Sequence, residues 1–236
     1  MIATSELREL LYNGGASLVG FGDISALQYG GYTSCVALAV KIPADVVYGI
    51  GLGPTRDYFE QYRALNSKLD SLAELTAQYL TRQGFRALAQ TTTAVAESSG
   101  FRTPMPHKTC ATRAGLGWIG KSALLVTMEY GPAVRLSSVL TDARFDCMAE
   151  PVNTSGCGSC TACTRACPGR AIQGAPWDVG TPREKLVDAK ACRRTARALA
   201  MERIGEKITL CGKCIEVCPY TRAYLEKSSG KKSIEK

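Results

Sequence analysis

The chain has 236 residues with a formal net charge of +8 at pH 7, and it is 45% hydrophobic and 21% charged. That length suits one large domain, or one domain plus a small module, with a substantial core. No stretch approaches eighteen consecutive apolar residues, which excludes a membrane-spanning helix, and the opening MIATSELRELLYNGG lacks the basic and then apolar regions of a secretory signal. The expected compartment is therefore a reducing cytoplasm, which suits eleven cysteines kept as thiols.

Residues 5–12 read as a short amphipathic helix carrying Leu7, Leu10 and Leu11, stopped by Gly14 and Gly15. Residues 17–21 (SLVGF) and 34–40 (SCVALAV) read as strands, the second apolar enough to be buried on both faces. Glycine-containing loops are expected at 28–33 and 49–54. The longest periodic stretch, 56–83, places Tyr58, Tyr62, Leu65, Leu69, Leu72, Leu75, Tyr79 and Leu80 three and four apart. This predicts a long amphipathic helix ended by Gly84, with its aromatic members in the core. A short strand at 85–89 precedes a Thr-, Ser- and Pro-rich loop at 90–106, long enough to point to a site.

A short helix is expected at 107–114, then strands at 123–128 and 133–140 joined as a hairpin across 129–132. Between them, residues 115–122 (GLGWIGKS) satisfy G-x-x-x-x-G-K-S, and the first six satisfy G-x-G-x-x-G. Both phosphate-binding patterns need a buried strand before and a helix after, so that N–H groups converge on phosphate. Here the order is reversed, and the phosphate reading is set aside. The glycines read instead as permitting close backbone approach to something flat or bulky. Cys35 reads as a buried small hydrophobe. Cys110 and Cys147 read as inert, with redox activity the alternative.

The densest chemistry lies from 157 to 218. Cys157, Cys160, Cys163 and Cys167, followed by Pro168, form C-x2-C-x2-C-x3-C-P, the bacterial ferredoxin run. In that run three cysteines hold one [4Fe–4S] cube and the fourth reaches a second cube. Cys192, Cys211, Cys214 and Cys218, the last followed by Pro219, supply the remaining thiolates. By the crossed rule, cluster one takes Cys157, Cys160, Cys163 and Cys218, and cluster two takes Cys192, Cys211, Cys214 and Cys167. Two structural zinc sites or a set of disulfides are the alternatives. Zinc sites seldom use such a run, and a chain expected in the cytoplasm is a poor candidate for many disulfides. Residues 181–184 (TPRE) read as a capping box, the Cys192 helix is expected from about 189 to 204, and the polar last ten residues are expected to fray.

Residues 1–150 carry 13 Lys and Arg against 13 Asp and Glu, whereas 151–236 carry 16 against 8. Two oxidised cubes, each about −2 with its thiolates, offset roughly half of that excess. An anionic partner, whether tRNA or an acidic redox protein, is compatible with the remainder but not demanded by it.

Taken together, RAGLGWIGK at 113–121, CGSCTACTRACP at 157–168 and CGKCIEVCPY at 211–220 resemble the epoxyqueuosine reductases, which are similar in core to the reductive dehalogenases. The likeness runs from about residue 17 to 224. It implies an α/β (α+β) N-terminal domain over 1–150 that binds cobalamin or serves for docking. It further implies a small ferredoxin-like module with two [4Fe–4S] clusters over 151–226, and a flexible tail over 227–236. By that resemblance Gly115, Gly117, Trp118 and Gly120 would line a corrin, with Lys121 near its polar edge. Electrons from a ferredoxin- or flavodoxin-type donor would pass through the clusters to the N-terminal domain of an oxidoreductase of unknown substrate.

Three departures stand out. The helical-repeat extension of the tRNA-modifying enzymes is missing, the acid that the resemblance places before R-A-G falls on Phe101, and Ser122 stands where asparagine is usual. His107, the single histidine, is the candidate proton donor or cobalt ligand, against the reading of a polar residue at a helix start. Two further functions compete with the cobalamin-dependent reductase. One is a cobalamin-free electron carrier or reductive activator of a corrinoid partner protein, and the other is a tRNA-binding protein.

Overall fold

The computed structural model describes residues 1–95 and 98–230. In chain order the elements are α1 (Thr4–Asn13), β1 (Leu18–Asp23), β2 (Ser34–Lys41), α2 (Ala44–Gly49), α3 (Arg56–Arg82), β3 (Ala87–Ala89) and α4 (His107–Arg113). They continue with β4 (Trp118–Ile119), β5 (Leu125–Val126), β6 (Val134–Thr141), α5 (Ala162–Ala166), α6 (Arg183–Leu186), α7 (Ala189–Ile204), α8 (Lys213–Glu216) and α9 (Pro219–Ser228). The chain divides into two compact units. The first comprises Met1–Lys41, Ala64–Gly117 and Arg135–Val152, and the second Ile42–Arg63, Trp118–Val134 and Asn153–Lys236.

The first unit is built on a four-stranded sheet of order β1-β2-β6-β3. β1 and β2 are antiparallel, from Leu18 opposite Ala39 to Asp23 opposite Ser34, and β3 runs antiparallel to β6. As its unbroken apolar run predicts, β2 is buried at every position but Lys41. Leu7 and Leu11 of α1, Leu69, Leu72 and Leu80 of α3, and Phe21, Leu38 and Leu140 of the sheet fill the core. Each such side chain contributes about 1.5–3 kcal/mol by leaving water. Gly20 in β1 has a packing reason: a Cβ there would lie 2.5 Å from the Ala114 carbonyl, so the end of α4 rests directly on the strand.

In the second unit α7 begins at Asp188, whose carboxylate accepts the Ala191 N–H at 2.9 Å, and ends at Gly205 in the left-handed conformation. Its buried stripe is Ala196, Ala200 and Ile204. Tyr224 of α9 donates its hydroxyl to the Ile42 carbonyl at 3.0 Å and meets Tyr130 edge to face, centroids 5.2 Å apart. Glu216 is buried between Lys213, at 2.8 Å, and Arg222.

Three local expectations need correction, and one element was not expected. The strands foreseen at 123–128 and 133–140 do not pair as a hairpin. β6 has β2 on one edge and β3 on the other, and β5 pairs with β4, Trp118 opposite Val126. Residue 181 does not cap α6: Pro182 precedes the helix, and the Thr181 hydroxyl is engaged with Asp178 Oδ1 at 2.8 Å. The short helix α2 was not foreseen, because six residues containing Val46 and Val47 carry little helical signal. Finally, Lys227 and Ser228 are helical in α9, and residues 231–236 of the expected tail lie outside the described residues.

Candidate metal centre

The eight ladder cysteines lie in the second unit on short, sharply interrupted segments. Cys157 and Cys160 lie in the turn before α5, Cys163 within it, and Cys167 at its C-terminal end, where Pro168 stops the helix. Cys192 stands in the first turns of α7. Cys211 precedes α8, Cys214 lies within it, and Cys218 caps α9 ahead of Pro219. No disulfide joins the cysteines.

Their thiols gather into two neighbourhoods. Cys157, Cys160, Cys163, Cys214 and Cys218 line one cavity with Gly120, Lys121, Ser122 and Tyr220. Burial raises the Cys163 thiol, with the nearby Cys157 and Cys160 adding to it. Burial pushes Cys218 to about 11, with Cys157 and Cys163 adding and the Tyr220 and Thr221 N–H groups opposing. On the other side, burial and then Cys167 and Cys211 raise Cys192. Burial likewise raises Cys211, opposed by the Lys213 N–H, with Cys167 adding. Cys214 is raised furthest, by burial and then by Cys211, Cys192, Cys163 and Cys167, so it stands where the two groups meet.

Such a set of thiols resists ionisation together unless a cationic core sits among them, and a bound metal deprotonates a coordinating thiol outright. The donor set thus fits an iron–sulfur core. Among the described residues no three donors gather closely enough for a single metal ion. One tetrahedral zinc at about 2.3 Å from each sulfur would draw its thiolates to about 3.8 Å of one another. A cube sets each cysteine on a different iron and holds the sulfurs farther apart. The Ala171 N–H already points at Cys167 Sγ, at 3.3 Å, as sulfur-tuning donors do.

The residues of the glycine turn divide between the two units. Gly115 takes φ +70°, and a Cβ there would lie 2.7 Å from Ala149 Cβ, so protein already fills the space beside it. Gly117 takes φ +153°. Trp118, Gly120 and Lys121 belong to the second unit and stand against the first cysteine loop. Lys121 is buried, and its ammonium donates to the Gly158 and Cys160 carbonyls at 2.8 and 2.9 Å. That role had no signal in the sequence, where the same lysine completes a false phosphate-loop pattern.

In the first unit His107 opens α4, its Nδ1 3.0 Å from Ser138 Oγ. It shares a polar cavity with Asn66, Asp70, Gln90, Thr92 and Arg135. Burial, and then the Arg135 guanidinium, lower its pKa to about 4, against an opposing pull from Asp70. The imidazole is therefore neutral at pH 7 and carries no imidazolium proton to donate. Phe101 is exposed with φ +59°. Cys35 and Cys110 are fully buried, the Cys35 thiol 3.7 Å from the Cys110 carbonyl, and Cys147 is exposed.

An α/β unit accompanied by a module carrying two sets of cluster-spaced cysteines defines a double-cluster iron–sulfur protein. Residues 156–221 match the family described as "4Fe-4S double cluster binding domain", so the protein's metal cofactor is two [4Fe–4S] clusters. The chain is similar to the epoxyqueuosine reductase of Salmonella typhimurium, 29% identical over 198 residues, covering 77% of this chain and 46% of that protein. In fold it matches a catabolic reductive dehalogenase, NpRdhA, solved with 3-bromo-4-hydroxybenzoic acid: TM-score 0.73, 18% identity, 92% of this chain and 31% of that one. An epoxyqueuosine reductase solved with a tRNA-Tyr stem loop gives TM-score 0.59 at 21% identity, over 93% of this chain and 65% of that one. The likeness carried by RAGLGWIGK and the cysteine runs is thus borne out in sequence and in fold. The chain spans about half, or less, of the curated relatives it matches. No helix among the described residues is long and apolar enough to cross a membrane.

Proposed function

We propose that the protein is a low-potential iron–sulfur oxidoreductase of the epoxyqueuosine reductase-like kind. The carrying observation is the division of the eight ladder thiols, half-buried except for the exposed Cys192, into two neighbourhoods that meet at Cys214. In this reading Cys157, Cys160, Cys163 and Cys218 hold one cluster, and Cys167, Cys192, Cys211 and Cys214 the other. When bound, the clusters supply one-electron transfer at potentials set by hydrogen bonds, charge and burial. The chain's own part is to gather the half-buried thiols and to aim N–H groups such as that of Ala171 at the sulfurs. The electron donor in this reading is a ferredoxin- or flavodoxin-type protein.

The acceptor is the open half of the proposal. A reductive dehalogenase of similar fold is described as B12-dependent, and a ferredoxin module alone needs no accompanying α/β unit. Both points favour cobalamin and a reductase of unknown substrate. Of the five glycine-turn residues, Gly115 packs on Ala149 in the first unit and Lys121 donates to the cysteine loop in the second. The cobalamin reading rests on the relatives. Its competitor is an electron carrier or reductive activator of a corrinoid partner. A tRNA partner finds support in the tRNA stem loop bound by a relative and in the basic residues 151–236.

Anaerobic reconstitution with iron, sulfide and cobalamin, followed by gel filtration and an ultraviolet–visible spectrum, separates these readings. A corrin band co-eluting with the iron–sulfur absorption supports the reductase. Iron–sulfur absorption with no corrin band leaves the carrier. Salt-dependent retention of tRNA supports the third partner.

A further inference from the structure

On and beside the short hairpin of β4 and β5, Trp118, Gly120 and Lys121 stand against the first cysteine loop within one unit. Lys121 is 8% exposed. Burying an ammonium is costly unless it is well hydrogen-bonded, and here both accepting carbonyls, of Gly158 and Cys160, belong to the C-x2-C step between the first two thiols. Lys121 also lines the cavity that Cys157, Cys160, Cys163 and Cys218 share. A Cβ on neighbouring Gly120 would sit 3.4 Å from Cys157 Sγ, so the hairpin touches the ladder itself.

Trp118 supplies an independent observation. Its side chain is 7% exposed, and its indole Nε1–H is buried with no hydrogen-bond partner. Leaving such a donor unpaired is destabilising. The ring lies against the residue before Cys157: a Cβ on Gly156 would come within 3.0 Å of Trp118 Cε2, the atom bonded to that nitrogen. An acceptor belonging to the cluster site would satisfy it.

We infer that Lys121 and Trp118 are positioning residues for the first cluster: the lysine clamps its binding loop and biases its potential by charge, and the tryptophan donates to a sulfur of the cluster site. This rests on the two-cluster reading. Each reduction adds an electron, and a fixed positive charge and N–H donors favour the more negative state, so they raise the potential.

The test is an EPR-monitored redox titration of the reconstituted 236-residue chain, wild type against Lys121→Met, Lys121→Arg and Trp118→Phe, with iron counted in each. The expected result is that Lys121→Met lowers the midpoint of one cluster and leaves the other in place. The expected size is at least a tenfold change in its reduced-to-oxidised ratio at fixed potential, or 59 mV for a one-electron couple. Trp118→Phe shifts the same cluster the same way by less, and Lys121→Arg restores the wild-type value. If Lys121→Met loses the first cluster, recovery of its iron and potential in Lys121→Arg supports the inference. Unchanged midpoints in Lys121→Met and Trp118→Phe, or an arginine variant indistinguishable from the methionine one, would overturn it. A wild type that takes up no [4Fe–4S] cluster would instead refute the underlying reading, and the iron count shows which has failed.

Discussion

His107 Nδ1 stands 3.0 Å from Ser138 Oγ, in a cavity that Arg135 and Asp70 also line. Its pKa in the folded protein, about 4, lies below the ordinary 6.5. The unfolded chain thus takes up the proton first, and the stability from keeping this ring neutral is lost as pH falls from 6.5 toward 4. From pH 7 to pH 5 the loss is about 2 kcal/mol. Denaturant unfolding at both pH values should show wild type losing that much more than His107→Asn, which keeps a polar partner for Ser138. Equal losses would mean the ring is not held neutral.

Tyr224 and Ile42 make the second measurable contact. Removing the hydroxyl in Tyr224→Phe strands the Ile42 carbonyl, which accepts it at 3.0 Å beside a buried ring. A loss of about 1–2 kcal/mol is expected, read as a lower denaturant midpoint with an unchanged slope. No change in midpoint would show that water replaces the contact.

The three cysteines outside the ladder should differ sharply toward an alkylating reagent. Cys35 and Cys110 are fully buried, and a hydrogen bond with Cys110 together with burial holds the Cys35 thiol well above its ordinary range. Cys147 is exposed. Mass spectrometry of the cluster-loaded protein treated with iodoacetamide should find Cys147 modified and the other two untouched until the chain is unfolded. Early labelling of Cys110 would point to an opening of α4.

The parts of the molecule readable from sequence are those where a local pattern dictates the outcome. The three- and four-residue spacing of Tyr58, Leu65, Leu69, Leu72 and Leu80 gave α3 almost to the residue, and the apolar run around Val36 gave β2. Cysteine spacing likewise announced the cluster chemistry, because C-x2-C loops and proline stops are short-range geometry. Strand pairing was not readable: β4 and β5 are two residues each, and β6 finds both partners far away in the chain. The setting of Lys121 was hidden for the same reason. Its acceptors lie 37 and 39 residues downstream, while its immediate neighbours imitate a phosphate loop.

In the proposed arrangement the chain carries two cubes, with thiolates exchanged between the early and late cysteines. The most direct measurement is iron and acid-labile sulfide per chain after anaerobic reconstitution, for wild type, Cys192→Ser and Cys157→Ser. Wild type should hold about eight irons. Each serine variant should hold about four, with the EPR signal that survives differing between the two. Bound zinc, about four irons in the wild type, or a Cys192→Ser protein that still carries the full complement would contradict the account.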